Sequence, residues 1–89
     1  MSLVNKLFEV GNLKGSIYDF ENAGDILPNH VHDEDTAHIT VVAKGSIKVT
    51  GDGWEQVWEC GRVAELKAFQ SHQFEALEPN SRVVNVIKK

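Results

Sequence analysis

Apolar and polar residues alternate with a period of two through most of this chain, and no stretch of useful length repeats with the period of a helix. Such alternation sends successive side chains to opposite faces and marks half-buried β-strands. It predicts strands over 5–10, 15–22, 25–32, 37–43, 45–50, 54–59, 62–66, 71–77 and 82–88. Glycines punctuate the pattern, at Gly11, Gly15, Gly24, Gly45, Gly51, Gly53 and Gly61. "GDG" at 51–53, between "SIKVT" and "WEQVWE", reads as a hairpin turn. "EPNS" at 78–81 reads as another, with Pro79 fixing φ and Asn80 tolerating a left-handed backbone. Eight or so short strands in one small chain predict a barrel or sandwich. In "HITVVAKG", His38, Thr40 and Val42 share one face, and Ile39, Val41 and Ala43 the other. Both faces are mostly apolar, which predicts a strand buried on both sides.

Composition narrows the picture. With 89 residues, 42% hydrophobic and 25% charged, the chain is expected to fold as one globular domain over 1–89. So short a chain builds a marginal core, and size alone predicts a homodimer. The net charge is −4, and the bases are scattered apart from Lys88-Lys89. No basic stripe is available to displace counterions, so no nucleic-acid partner is expected. No apolar run approaches the roughly 18 residues of a membrane span, and no leader-like start is seen, so no membrane association is expected. A single cysteine, Cys60, fits a reducing, cytoplasmic setting. It precedes Gly61 in a turn, with no histidine near it in sequence, and is not read as a nucleophile.

The candidate chemistry lies in the histidines. Three of the four fall in "PNHVHDEDTAH", and the fourth, His72, opens "HQFEAL". His30 and His32, two apart on a strand, point the same way and can hold one metal from one side. A tight turn in "DED" (33–35) would return His38 on a neighbouring antiparallel strand, and His72 leads an apolar face with Phe74 and Ala76. Largely neutral imidazoles on rigid strands suit iron, manganese, nickel, copper or zinc and leave coordination positions open for chemistry. The competing reading is four hydrogen-bonded structural histidines, each at the start of a strand.

The spacing is more specific than the count. His30-Val31-His32 is followed by five residues, His38, six residues and Gly45; later come Gly61 and "KAFQSHQFEAL". In these features the chain resembles the small single-domain cupins. Their first motif is H-x-H, three or four residues, Glu, six residues, Gly; their second is P-x-G, two residues, His, three residues, often Asn. The interval from His38 to Gly45 matches. The interval before it is one residue longer, with histidine replacing glutamate, and Lys67, Phe69 and Ala76 stand where Pro, Gly and Asn would be. The resemblance implies an all-β, antiparallel double-sheet jelly-roll barrel. It further implies one divalent transition metal (Fe, Mn, Ni, Cu or Zn) held inside by His30, His32, His38 and His72, with Glu34 as the alternative to His38.

A ligand set without charge leaves the metal fully positive, which favours an anionic substrate or one that ionises on the metal. The function expected is that of a metal-dependent enzyme of dioxygenase type, acting on a small anionic or enolisable molecule. The alternative is a non-catalytic module that binds or senses a metal or small ligand. No carboxylate on an ideal strand faces the histidines, since Glu75 points away from His72. No catalytic residue is assigned. Tyr18, Gln70 and Phe74 are candidate pocket residues, although Tyr18 and Phe74 also suit core packing and Gln70 a loop. Trp54 and Trp58, on one strand face, are read as packing or a dimer contact.

Overall fold

A computed structural model gives the fold. It describes residues 3–31, 38–66 and 71–88, with the backbone alone at 28–31, 71 and 88. Nine strands follow in order: β1 Leu3–Val10, β2 Leu13–Phe20, β3 Ile26–Val31, β4 His38–Lys44, β5 Ser46–Gly51, β6 Trp54–Glu59, β7 Val63–Leu66, β8 Ser71–Ala76 and β9 Ser81–Lys88. All pair antiparallel, in a five-stranded sheet β1-β2-β9-β4-β7 and a four-stranded sheet β3-β8-β5-β6. This is the double-sheet jelly-roll barrel that the sequence predicted. No helix among the described residues is long and apolar enough to cross a membrane.

The turns explain the register. Val10 pairs with Leu13 and Gly51 with Trp54, so each hairpin closes over two residues, with Gly11 (φ 58°) and Gly53 (φ 79°) taking left-handed backbone. Asn80 does the same at φ 58° in the predicted "EPNS" turn. Gly15 is a correction: it lies inside β2, not in a gap. The Phe8 ring covers it, and an added Cβ would come within 2.6 Å of that ring.

One residue, Gly45, carries the chain from the five-stranded sheet to the four-stranded one, between Lys44 and Ser46. Its φ of 72° is left-handed. A Cβ there would meet the hydroxyl of the fully buried Ser81 at 2.2 Å. Two backbone hydrogen bonds tie the turn before β3 to the end of β8, from Gly24 N–H to Ala76 O at 2.8 Å and from Ala76 N–H to Asp25 O at 2.9 Å.

The inner faces of both sheets meet in one apolar core of Phe20, Val42, Ile47, Val49, Trp58, Leu66, Phe74, Ala76 and Val83. Period-two alternation selects them: Ile47 and Val49, and Phe74 and Ala76, are inward-facing pairs two apart, and Val83, Asn85 and Ile87 follow one another on the inward face of β9. Trp58 is core, at 4% exposure, and Trp54 packs against it from the edge, so packing is the role the structure gives both. β4 departs from expectation. His38, Thr40 and Val42 are buried, but Ile39 is 42% exposed and Ala43 is exposed as well. The strand is buried on one face only; its second apolar face lies on the outside of the sheet.

Candidate metal centre and adjoining cavity

The four-stranded sheet assembles one row of interest. His30 stands opposite His72, His72 opposite Gly51, and Gly51 opposite Trp54. The first of these pairings depends on an irregularity. Leu27 pairs with Phe74, so a regular ladder would set Asn29 against His72; a shift between Leu27 and His30 substitutes His30. Pro28 lies within the shift and on an edge strand, where its missing N–H does least harm. His72 is 0% exposed, with its ring 5.4 Å from that of Phe74. At Gly51 the indole of Trp54 takes the space of a side chain, since an added Cβ would be 2.1 Å from it.

The five-stranded sheet supplies a polar patch to the interior. His38 is buried at the start of β4. Next on the same face, the Thr40 hydroxyl donates to Asn85 Oδ1 at 2.7 Å, and both residues are buried. The Asn85 Nδ2 group is buried with no hydrogen-bond partner among the described residues. Ser16 stands opposite Asn85 on the next strand. A cavity of about 360 Å³ opens beside this patch, with Leu7, Lys14, Ser16, Tyr18, His38 and Asn85 in its wall.

The candidate residues therefore separate into three groups. His30 and His72 are brought together in the ladder, and His38 reaches the interior from the other sheet, beside the cavity. Tyr18 lines the cavity, whereas Phe74 is 0% exposed core under His72. His32, Glu34 and Gln70 lie outside the described residues. Among the described residues, no three His, Cys, Asp or Glu side chains group closely enough to hold a metal ion. The donor set is chemically suited to a divalent transition metal, because histidine is its commonest protein ligand and two of the four, His38 and His72, are buried. Cys60 is exposed in its turn, away from that interior. Sequence reasoning missed Lys14, Ser16 and Asn85. The signal was present: Lys14 and Ser16 continue the inward phase of Tyr18 and Phe20, and Asn85 is the polar interruption in "VVNVI".

Known proteins place this geometry. No family profile matches the sequence, and no curated protein matches it. Solved structures do match. An RmlC-like cupin protein from Desulfovibrio desulfuricans is 26% identical, with a TM-score of 0.84 over 97% of this chain and 81% of that one. KdgF from Halomonas sp. is 22% identical, with a TM-score of 0.84 over 97% of this chain and 77% of that one. A Cupin 2 conserved barrel domain protein from Salinispora arenicola is 17% identical, with a TM-score of 0.80 over 98% and 76% of the two chains. By fold the chain is a small cupin domain.

Proposed function

We propose that this chain is a metal-binding cupin acting on a small anionic or enolisable molecule, with dioxygenase-type chemistry. The observation that carries the reading is the pairing of His30 with the fully buried His72, while His38 borders a cavity from the facing sheet. His30, His32, His72 and His38 would hold one divalent ion (Fe, Mn, Ni, Cu or Zn), with Glu34 the alternative to His38. Bound there, such an ion supplies Lewis acidity and, for a redox-active metal, electrons for oxygen chemistry.

The chain's own residues would bind and orient the substrate. Lys14 places on the cavity wall a positive charge that can pair with an anion, beside the negative charge of Glu9 opposite it on β1. The Ser16 and Tyr18 hydroxyls can donate to a carbonyl or carboxylate in the same cavity. The cavity volume fits a small molecule, at the lower end of the usual range for ligand pockets.

A non-catalytic binding or sensing module is the second reading. It is favoured by the exposure of Glu9, the one carboxylate among the described residues of the cavity wall, which leaves no buried carboxylate there for proton transfer. The test is metal content of protein prepared without an affinity histidine tag, by elemental mass spectrometry, with His30→Ala, His72→Ala and Glu34→Ala beside wild type. The expected result is a near-stoichiometric transition metal, lost in both histidine variants and kept in Glu34→Ala. A protein that is empty and refuses added Fe, Mn, Ni, Cu and Zn refutes the proposal. Oxygen consumption with candidate enolisable acids then separates catalysis from binding.

A further inference from the structure

Buried side-chain amides in native proteins are almost always hydrogen-bonded, because a donor shut away from water without a partner destabilises the fold. Asn85 departs from this. It is 4% exposed, and its Oδ1 accepts from the Thr40 hydroxyl at 2.7 Å. Its Nδ2 is buried with no partner among the described residues. With the oxygen engaged by Thr40, the two N–H groups are left for the other side of the amide.

The register supplies a second donor. Ser16, Asn85 and Thr40 stand opposite one another in one row across β2, β9 and β4. Ser16 and Asn85 both border the cavity. Their side chains leave the sheet about 5 Å apart, the spacing of a directly opposed pair. A hydroxyl and an amide N–H at that spacing can each donate to one oxygen of a single carboxylate. Lys14 does not make the same selection, since Glu9 stands opposite it with the contrary charge.

We propose, on the reading of the cavity as a small-anion site, that Ser16 and Asn85 seat the carboxylate of a 2-oxo acid. Length supports this class. His38 lies two residues before Thr40 on the same buried face of β4, about 7 Å away along the strand. An acid gripped at the row of Ser16 and Asn85, with a second oxygen on its adjacent carbon, turns that oxygen toward the row of His38. Asn85 Nδ2 is shielded from water, so an acceptor reaches it only as the cavity wall gives way to the ligand. The bond that Nδ2 lacks is what favours that movement.

NMR titration of the isotope-labelled protein with pyruvate and with its methyl ester tests this. The ester keeps the ketone and loses the carboxylate, so the ratio of the two dissociation constants reports the seat. Wild type should prefer pyruvate at least about tenfold, because hydrogen bonds to a charged acceptor are the stronger ones. Ser16→Ala and Asn85→Ala should each reduce that preference about tenfold. Thr40→Val, in which the amide keeps its donors and loses its anchor, should reduce it by less. Wild type that binds no pyruvate at ~10 mM, well above a millimolar constant, overturns the proposal. So does an unchanged preference in Ser16→Ala or in Asn85→Ala. Metal content, measured on the same samples, separates the seat from the metal centre. Variants that keep both their ion and their preference overturn the seat alone, whereas an ion-free wild type that still prefers pyruvate supports the seat and overturns the metal centre.

Discussion

Replacing Gly45 with alanine tests the corner on which both sheets depend. The substitution has two separable costs. The first is backbone: an alanine held at φ 72° is left-handed, which costs about 1 kcal/mol. The second is contact. The new Cβ would lie 2.2 Å from the Ser81 hydroxyl oxygen, 3.0 Å from its Cβ and 3.1 Å from its Cα. Ser81 is fully buried and its hydroxyl donates to Glu78 O at 2.8 Å, so it cannot retreat without breaking that bond. Overpacking together with a lost buried hydrogen bond costs about 2 kcal/mol. The expected total is about 3 kcal/mol, or roughly 12–24 °C in Tm for a domain of this size. Urea and thermal unfolding should be run on wild type, Gly45→Ala, Ser81→Gly and the double variant. Ser81→Gly removes both clashing side-chain atoms, so in that background Gly45→Ala should cost only the backbone share of ~1 kcal/mol, a coupling of ~2 kcal/mol. A single variant within ~0.5 kcal/mol of wild type, or a cycle without coupling, refutes the reasoning.

Two further substitutions probe the polar patch and the outer ion pair. Thr40→Val keeps the shape but removes the donor to Asn85 Oδ1, and should destabilise by about 1–3 kcal/mol in urea unfolding; an unchanged midpoint would mean that this bond contributes nothing. The Arg82 guanidinium bonds Asp19 at 2.6 Å and 3.2 Å and holds its carboxyl below the ordinary 3.8. Because the folded value is the lower one, the contribution is complete above 3.8 and fades as pH falls through the folded value. Wild type should therefore exceed Asp19→Asn in stability at neutral pH and converge with it in acid, and a pH-independent difference would exclude this origin.

The strand pattern was legible to within about two residues because inward positions recur every second residue, as in Phe74 and Ala76 or Val83, Asn85 and Ile87. What periodicity cannot convey is what lies against each face. Ile39 and Val41 gave the same signal as a core face, yet they lie outside the sheet. Apolar alternation reports that a face avoids water, not whether this chain or another one covers it. Gly15 looked like a break because a small residue marks a turn and an aromatic-covered strand site equally well. His38 to Gly45 was legible as spacing, and the corner at Gly45 supplies a physical reason for that glycine. The opposition of His30 and His72 was hidden, since it rests on a one-residue irregularity that no local pattern announces.

That irregularity changes how the chain would tolerate gain or loss of a residue. In a regular strand, deleting one residue turns every later side chain to the other face. Between Leu27 and His30 the ladder already holds one residue more than it needs. A chain lacking Pro28 or Asn29 could pair Leu27 with Phe74 and His30 with His72 in an unbroken ladder. The same deletion between His72 and Ala76 would reverse the phase of the strand against β5. Length variation near the histidines is thus cheap on one strand and ruinous on its neighbour, and homologous chains should differ in length at the first place and not at the second.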